Sequence, residues 1–419
     1  MNKENGRAYS RNWIIILCSL VYFVSYFSRK EFAAAMAGMI SEGVIGRTNA
    51  GLVGTMLFVF YGFGQLISGY LGDKVSPKYL IFLGLSVTGA CNALMNFVPE
   101  TLMIAVWGVN GLAQAMLWPP IVKLLSYYLD HKTYVTANLI VTSAAHVATV
   151  LLYLFVPFCL SFMSWRTVFT AASILAFAAF AIFAVAMRLI LPDKPQINPR
   201  REECAADEEE HGVKRGVFGQ MKETGILTVL VSIVVVGFLR DGIESWLPML
   251  YSEAFGRDVA ESTLVSIILP VFSIISISVV TVLHRRGTFN NEVSGSLILF
   301  AFSLVCSVLL ALFVSLSGTV FGVLSLVLAA LICAAMHGAN FLLISCLPGR
   351  FSKLGRAATV SGVCNSCVYI GAAVSTYGIA LLSGALGWSL TVAVWCVILV
   401  VGIVSSLLSY KKYKTMIND

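Results

Sequence analysis

Residues 192–222 read PDKPQINPRREECAADEEEHGVKRGVFGQMK. This is the one long polar stretch in a chain of 419 residues, and it decides the fold. It holds Arg200-Arg201-Glu202-Glu203 and Asp207-Glu208-Glu209-Glu210, a charged mix typical of a flexible linker. On either side the sequence is strongly apolar. Apolar residues make up 58% of the chain, charged residues 12%, and mean hydropathy is +0.87. A soluble domain carries about 25% charge, so a water-soluble fold is excluded. With Gly at 34 and Pro at 11 positions, so are collagenous and disordered classes.

Apolar windows of about 20 residues suit membrane-spanning helices. They fall at 12–37, 50–72, 78–98, 101–128, 133–162 and 165–191, then at 223–251, 260–283, 292–316, 318–347, 355–383 and 386–410. The expectation is an all-α integral membrane protein of twelve transmembrane helices. An N-terminal six-helix bundle covers 1–191, a cytoplasmic linker 192–222, and a C-terminal six-helix bundle 223–419. Two such halves form the architecture of parallel-repeat secondary transporters. The first apolar run is too long for a signal peptide and reads as a retained span.

Orientation follows from Lys and Arg. Placing both termini on one side puts 21 of the 28 on that side and 3 (Arg47, Arg166, Arg257) on the other. Arg29, Lys30, Lys123 and Arg240 lie inside spans. Both termini are expected to be cytoplasmic, in the inner (plasma) membrane. The basic residues are scattered over short loops, so nucleic acid is not an expected partner. Nine of ten cysteines sit in apolar runs and read as packing residues; Cys204 is in the linker, and the Cys364–Cys367 pair has no second pair. No disulfide, metal or cofactor is expected.

Arg29 lies 18 residues after Arg11, and Arg240 lies 18 after Lys222. Both are roughly 27 Å along their helices. One intramembrane arginine from each half, at matching depth, points to a watery cavity holding an anion. Two guanidinium forks can take a dianion between them. Glu31 and Asp241 are two and one residues away, spacings that do not face each other on a helix. They are therefore not expected to neutralise the arginines. Lys30 points about 100° from Arg29, toward the interface or a helix-borne acid. Glu31, Asp241 and Glu244 are candidate proton-coupling or helix-bridging acids. No GxSxG, HExxH or Walker A pattern occurs, so no enzyme is expected.

Several motifs match a family. The first span has Tyr26-Phe27-Ser28-Arg29-Lys30-Glu31-Phe32. The second has Tyr61-Gly62-Phe63-Gly64-Gln65, running into Gly69-Tyr70-Leu71-Gly72-Asp73-Lys74. The fourth has Gln114-Ala115-Met116-Leu117-Trp118-Pro119-Pro120, the fifth Ala144-Ala145-His146, the seventh Leu239-Arg240-Asp241-Gly242, and the eleventh Tyr369-Ile370-Gly371. The chain resembles the organophosphate:phosphate antiporter family of the major facilitator superfamily, the group of bacterial glycerol-3-phosphate and hexose-phosphate transporters. The resemblance implies that Arg29 and Arg240 clamp a substrate phosphate. It implies that His146 approaches the site as a phosphate hydrogen-bond donor, able to change charge near neutral pH. Tyr22, Tyr26, Tyr61 and Tyr369 would line the site, with Lys30 beside it. Asp73 and Lys74 would form a gating latch. His337, with Asn340, is a candidate contact to the polyol end. Trp118-Pro119-Pro120 reads as a mechanical kink. The glycerol-3-phosphate branch has a lysine where this chain has Gln65, and a tyrosine where it has Gly237, so charge and pocket shape should differ.

The implied function is import of a small phosphorylated organic anion, in exchange for inorganic phosphate, by a monomer in the bilayer. Two alternatives remain open at this point: a carboxylate symporter of the same superfamily, and a non-transporting organophosphate sensor.

Overall fold

The computed structural model describes residues 3–129, 131–189, 225–316, 318–348 and 357–418, without the side chains of a few residues within them. The 192–222 linker lies outside the described residues, as do the side chains of Asp73 and Lys74. Regular structure is helical: α1 Lys3–Ser41, α2 Arg47–Lys74, α3 Pro77–Met95, α4 Glu100–Ala115, α5 Trp118–Tyr128, α6 His131–Phe162 and α7 Trp165–Leu189 come first. Then follow α8 Ile226–Phe255, α9 Val259–Val265, α10 Ile268–Arg285, α11 Glu292–Phe313, α12 Thr319–Asn340 with a π-helical turn Phe341–Cys346, and α13 Ala357–Asn418.

Ten segments among the described residues are long and apolar enough to cross a membrane. One of them, Val360–Tyr410, has 51 residues and is broken at Gly387, whose φ of 75° leaves the helical region. That segment has the length of two crossings. With α2, 28 residues long, the arrangement is consistent with twelve. The fourth span splits into α4 and α5 at Met116–Leu117. Pro119 and Pro120 occupy the first turn of α5, where their missing N–H groups cost nothing. A continuous helix would lose those donors and clash.

The interior is apolar, but so is much of the surface, unlike that of a soluble protein. Large apolar side chains such as Phe63, Leu139, Ile174, Val305 and Leu408 are exposed. Meanwhile Asn92, Asn110, Gln114, Glu31 and Asp241 are buried. Lipid accepts the former; the latter need partners inside.

Helices before residue 189 pack mainly on one another, as in α1 on α6, α2 on α4 and α3 on α7. Those after 226 do the same, with α8 on α13 and α11 on α12 and α13. The two sets meet through α2 and α13, α1 and α8, and α6 and α9. The α2–α13 seam is close: a Cβ at Gly51 would lie 2.7 Å from Ala380 Cβ. At the end where α1 passes into α2, Arg47 pairs with Glu253. The Trp388 indole donates to the same carboxylate at 2.7 Å.

Candidate functional site

A cavity of about 440 Å³ lies between the two helix sets, within the usual size of small-ligand sites. Helical spacing explains its lining. Tyr22, Tyr26, Arg29 and Ala33 stand on one stripe of α1, and Phe58, Tyr61 and Gln65 on one of α2. Thr142, His146 and Thr149 come from α6; Arg240, Asp241 and Glu244 from α8; His337 and Asn340 from α12; Ser361, Asn365 and Tyr369 from α13. All eight residues expected at the site, Arg29, Arg240, His146, Tyr22, Tyr26, Tyr61, Tyr369 and Lys30, line this one cavity.

Their partners differ sharply. Arg29 Cζ stands 4.4 Å from the Tyr26 ring centroid and 5.0 Å from that of Tyr61. Among the described residues it forms no hydrogen bond or ion pair. Tyr61 in turn packs on Tyr369 at 4.6 Å, and Tyr22 on Trp118 at 4.5 Å. Arg240 donates to Asp241 Oδ2 at 2.6 Å and to Asn340 Oδ1 at 2.9 Å. This corrects the expectation that a neighbouring acid on the helix leaves Arg240 free. The long guanidinium folds back along α8, so Cβ spacing does not limit it. Glu31 does follow expectation: it is wholly buried, does not line the cavity, and neither carboxyl oxygen is hydrogen-bonded among the described residues.

Glu244 is a hub. Its carboxylate takes Lys30 from α1 on one oxygen and His337 Nε2, at 2.8 Å, on the other. Its backbone carbonyl accepts the Tyr153 hydroxyl at 3.2 Å. Lys30 thus reaches an acid on the opposite helix set while still lining the cavity. Glu244, Cys333 and His337 also bring three donor atoms within 4.8 Å, the only such cluster among the described residues. This set has metal-ligand chemistry, but the Lys30 ammonium already neutralises its carboxylate.

His146 Nδ1 lies 2.9 Å from the Thr142 carbonyl one turn back. That contact places the ring proton on Nδ1 and turns Nε2 free. A neutral His146 therefore offers an acceptor at Nε2. Only the protonated ring donates there, so the donor role expected of His146 belongs to its charged form.

Gly237 does not line the cavity. A Cβ there would lie 2.0 Å from the Val368 carbonyl oxygen, and a Cβ at Gly371 would lie 2.0 Å from that of Val234. The departure at 237 therefore brings the α8 and α13 backbones into contact rather than enlarging the pocket. Ser361 and Asn365 were missed from sequence. They sit eight and four residues before Tyr369, a spacing that could have flagged them. Nothing else distinguishes a lone Ser or Asn in an apolar run.

Residues 18–376 match the Major Facilitator Superfamily, and the chain belongs to that superfamily. It is similar to the "Probable hexose phosphate transport protein" of Chlamydia pneumoniae, 27% identical over 146 residues, which are 35% of this chain and 32% of that protein. It is 26% identical over 272 residues to the "Membrane sensor protein UhpC" of Salmonella typhimurium, covering 62% of this chain and 61% of the relative. The aligned stretches thus span less than two thirds of either relative. Among solved structures, a bacterial homolog of the human lysosomal transporter Spinster, inward-facing and unoccupied, superposes with a TM-score of 0.78. It covers 97% of this chain and 98% of that one at 15% identity, a likeness of fold.

Proposed function

We propose that the chain carries a small phosphorylated organic anion across the membrane, in exchange for inorganic phosphate, by alternating access. The observation that carries this reading is Arg29. A guanidinium has five N–H donors, and Arg29, partly exposed to the cavity, meets only two aromatic rings among the described residues. A phosphate supplies oxygens in the geometry of the fork. Three cations (Arg29, Lys30, Arg240) against two carboxylates (Asp241, Glu244) leave the cavity with an excess positive charge.

The inter-set contacts from Tyr61–Tyr369 to Arg47–Glu253 lie on the side of the 41–47 turn. With both termini cytoplasmic, that side is the outer one. Substrate entry would draw the two walls together and weaken the outer contacts. An empty site keeps its uncompensated cation, which disfavours the empty switch and so favours exchange.

The test is flux in proteoliposomes of the purified chain. Vesicles loaded with phosphate should take up labelled phosphate or hexose phosphate faster than empty ones. Equal rates with and without internal phosphate overturn exchange in favour of symport. The similarity to a membrane sensor keeps a second reading in view: specific binding without flux would establish it. Preference for carboxylates over phosphates would overturn the substrate class.

A further inference from the structure

The α1 helix is interrupted at Ser28, whose φ of −84° and ψ of 16° are non-helical. The Ser28 carbonyl is turned toward three side-chain amides. Asn110 Nδ2 lies at 3.2 Å, and Asn92 Nδ2 and Gln114 Nε2 each at 3.4 Å. Asn92 comes from α3, Asn110 and Gln114 from α4. All three amides, with Ser28, are essentially inaccessible. The cluster is tied further: Gln114 Oε1 accepts the Ser25 hydroxyl at 2.5 Å and its amide reaches Thr88 Oγ1 at 3.3 Å, while Asn92 also donates to the Thr88 carbonyl at 3.1 Å.

An unbroken helix would satisfy the Ser28 carbonyl from within, with no side chain required. Burying three amides to capture one carbonyl is costly unless the break itself matters. The residue directly after the break is Arg29, followed by Lys30. We infer that Asn92, Asn110 and Gln114 are positioning residues. They hold the break that aims Arg29 into the cavity, and they touch no ligand themselves, since none of the three lines it. The inference rests on Arg29 being the anion ligand. It also gives Gln114 a role within the Gln114–Pro120 motif that the kink alone does not explain.

The test uses the full-length purified chain with Asn110→Leu and Gln114→Met, which keep approximate volume and remove the donor. Thermal unfolding first establishes that each variant folds. Inorganic phosphate affinity is then measured for wild type, each variant, Arg29→Ala and the double variants. Each single variant should weaken binding about tenfold, and neither should weaken it further once Arg29 is absent. Equal losses with and without Arg29 overturn the inference.

A second readout needs no ligand. Phenylglyoxal modification of Arg29, quantified against Arg240 in the same sample by mass spectrometry, should change several-fold in both variants. An unchanged ratio in both overturns the inference. Failure of both variants to fold overturns it too, making the amides purely structural. If wild type binds no phosphate, the proposed function falls, and the labelling ratio still decides the positioning role.

Discussion

On the wall of the cavity built before residue 189, Arg29 touches two aromatic rings and no acid. On the wall built after 226, Arg240 is held by Asp241 and Asn340, and Glu244 holds His337 while reaching across to Lys30. The matching depths of the two arginines suggest equal partners in a clamp, but their surroundings are not equal. Under the proposed function, Arg29 would meet an incoming anion at once, whereas Arg240 would have to trade a carboxylate oxygen for a ligand oxygen, so its contribution would be a difference between two charge-assisted bonds. In that reading the first wall supplies binding strength, and the second a set of ion pairs that a ligand can rearrange.

Conservative replacement of each arginine probes that asymmetry most directly. Arg29→Lys keeps the charge but loses the fork and should cut phosphate exchange by about 100-fold. Arg240→Lys, whose charge remains balanced by Asp241, should cost about tenfold. Proteoliposome flux measures both, and equal losses would break the comparison. Making the walls alike is the converse experiment. Asp241→Asn releases Arg240 and should tighten phosphate binding by about tenfold while slowing exchange; unchanged affinity by calorimetry would mean that the ion pair is silent.

The pH response sharpens the comparison at His146. Its Nδ1 is committed to Thr142, so only the protonated ring offers a donor at Nε2. Phosphate affinity should therefore fall as pH rises and the ring loses its proton. Phosphate itself titrates in the same range, so the wild-type profile alone does not decide. In His146→Gln the fall should be shallower by a few-fold; identical profiles would leave His146 a packing residue. The smallest effects belong to the rings. Tyr61→Phe keeps the π face over Arg29 and should change affinity by less than about twofold, whereas Tyr61→Leu should weaken it by about tenfold. Equal effects of the two would assign the role to the hydroxyl instead.

Much of the fold was legible because lipid imposes a length and a composition on each crossing. The apolar windows predict the helices closely. The Trp118-Pro119-Pro120 kink and the break between the last two crossings were also readable, since Pro and Gly act locally. The site was legible where a charge stood in an apolar run, as at Arg29, Lys30, Arg240 and Glu244. It was not legible where the decision was made between helices. Nothing along the chain pairs Lys30 with Glu244, 214 residues away, and the Arg240–Asp241 bond defeats a rule about Cβ spacing because arginine is long. The interruption at Ser28 has no Pro or Gly to announce it; its cause sits on two other helices.

Gly237 and Gly371 let α8 and α13 touch backbone to backbone, 2.0 Å being the room left for any Cβ. Arg240 stands one helical turn from the first contact and Tyr369 two residues from the second. Their mutual placement is thus riveted. For an engineer seeking a different cargo, position 237 is closed to gradual tuning: even one methyl group must first pry the two helices apart. Paired changes at 237 and 371 that also reseat Val368 and Val234 would be needed. Labels carried on these two helices near the contact would, for the same reason, serve as a fixed ruler against which motion of the opposite wall can be read.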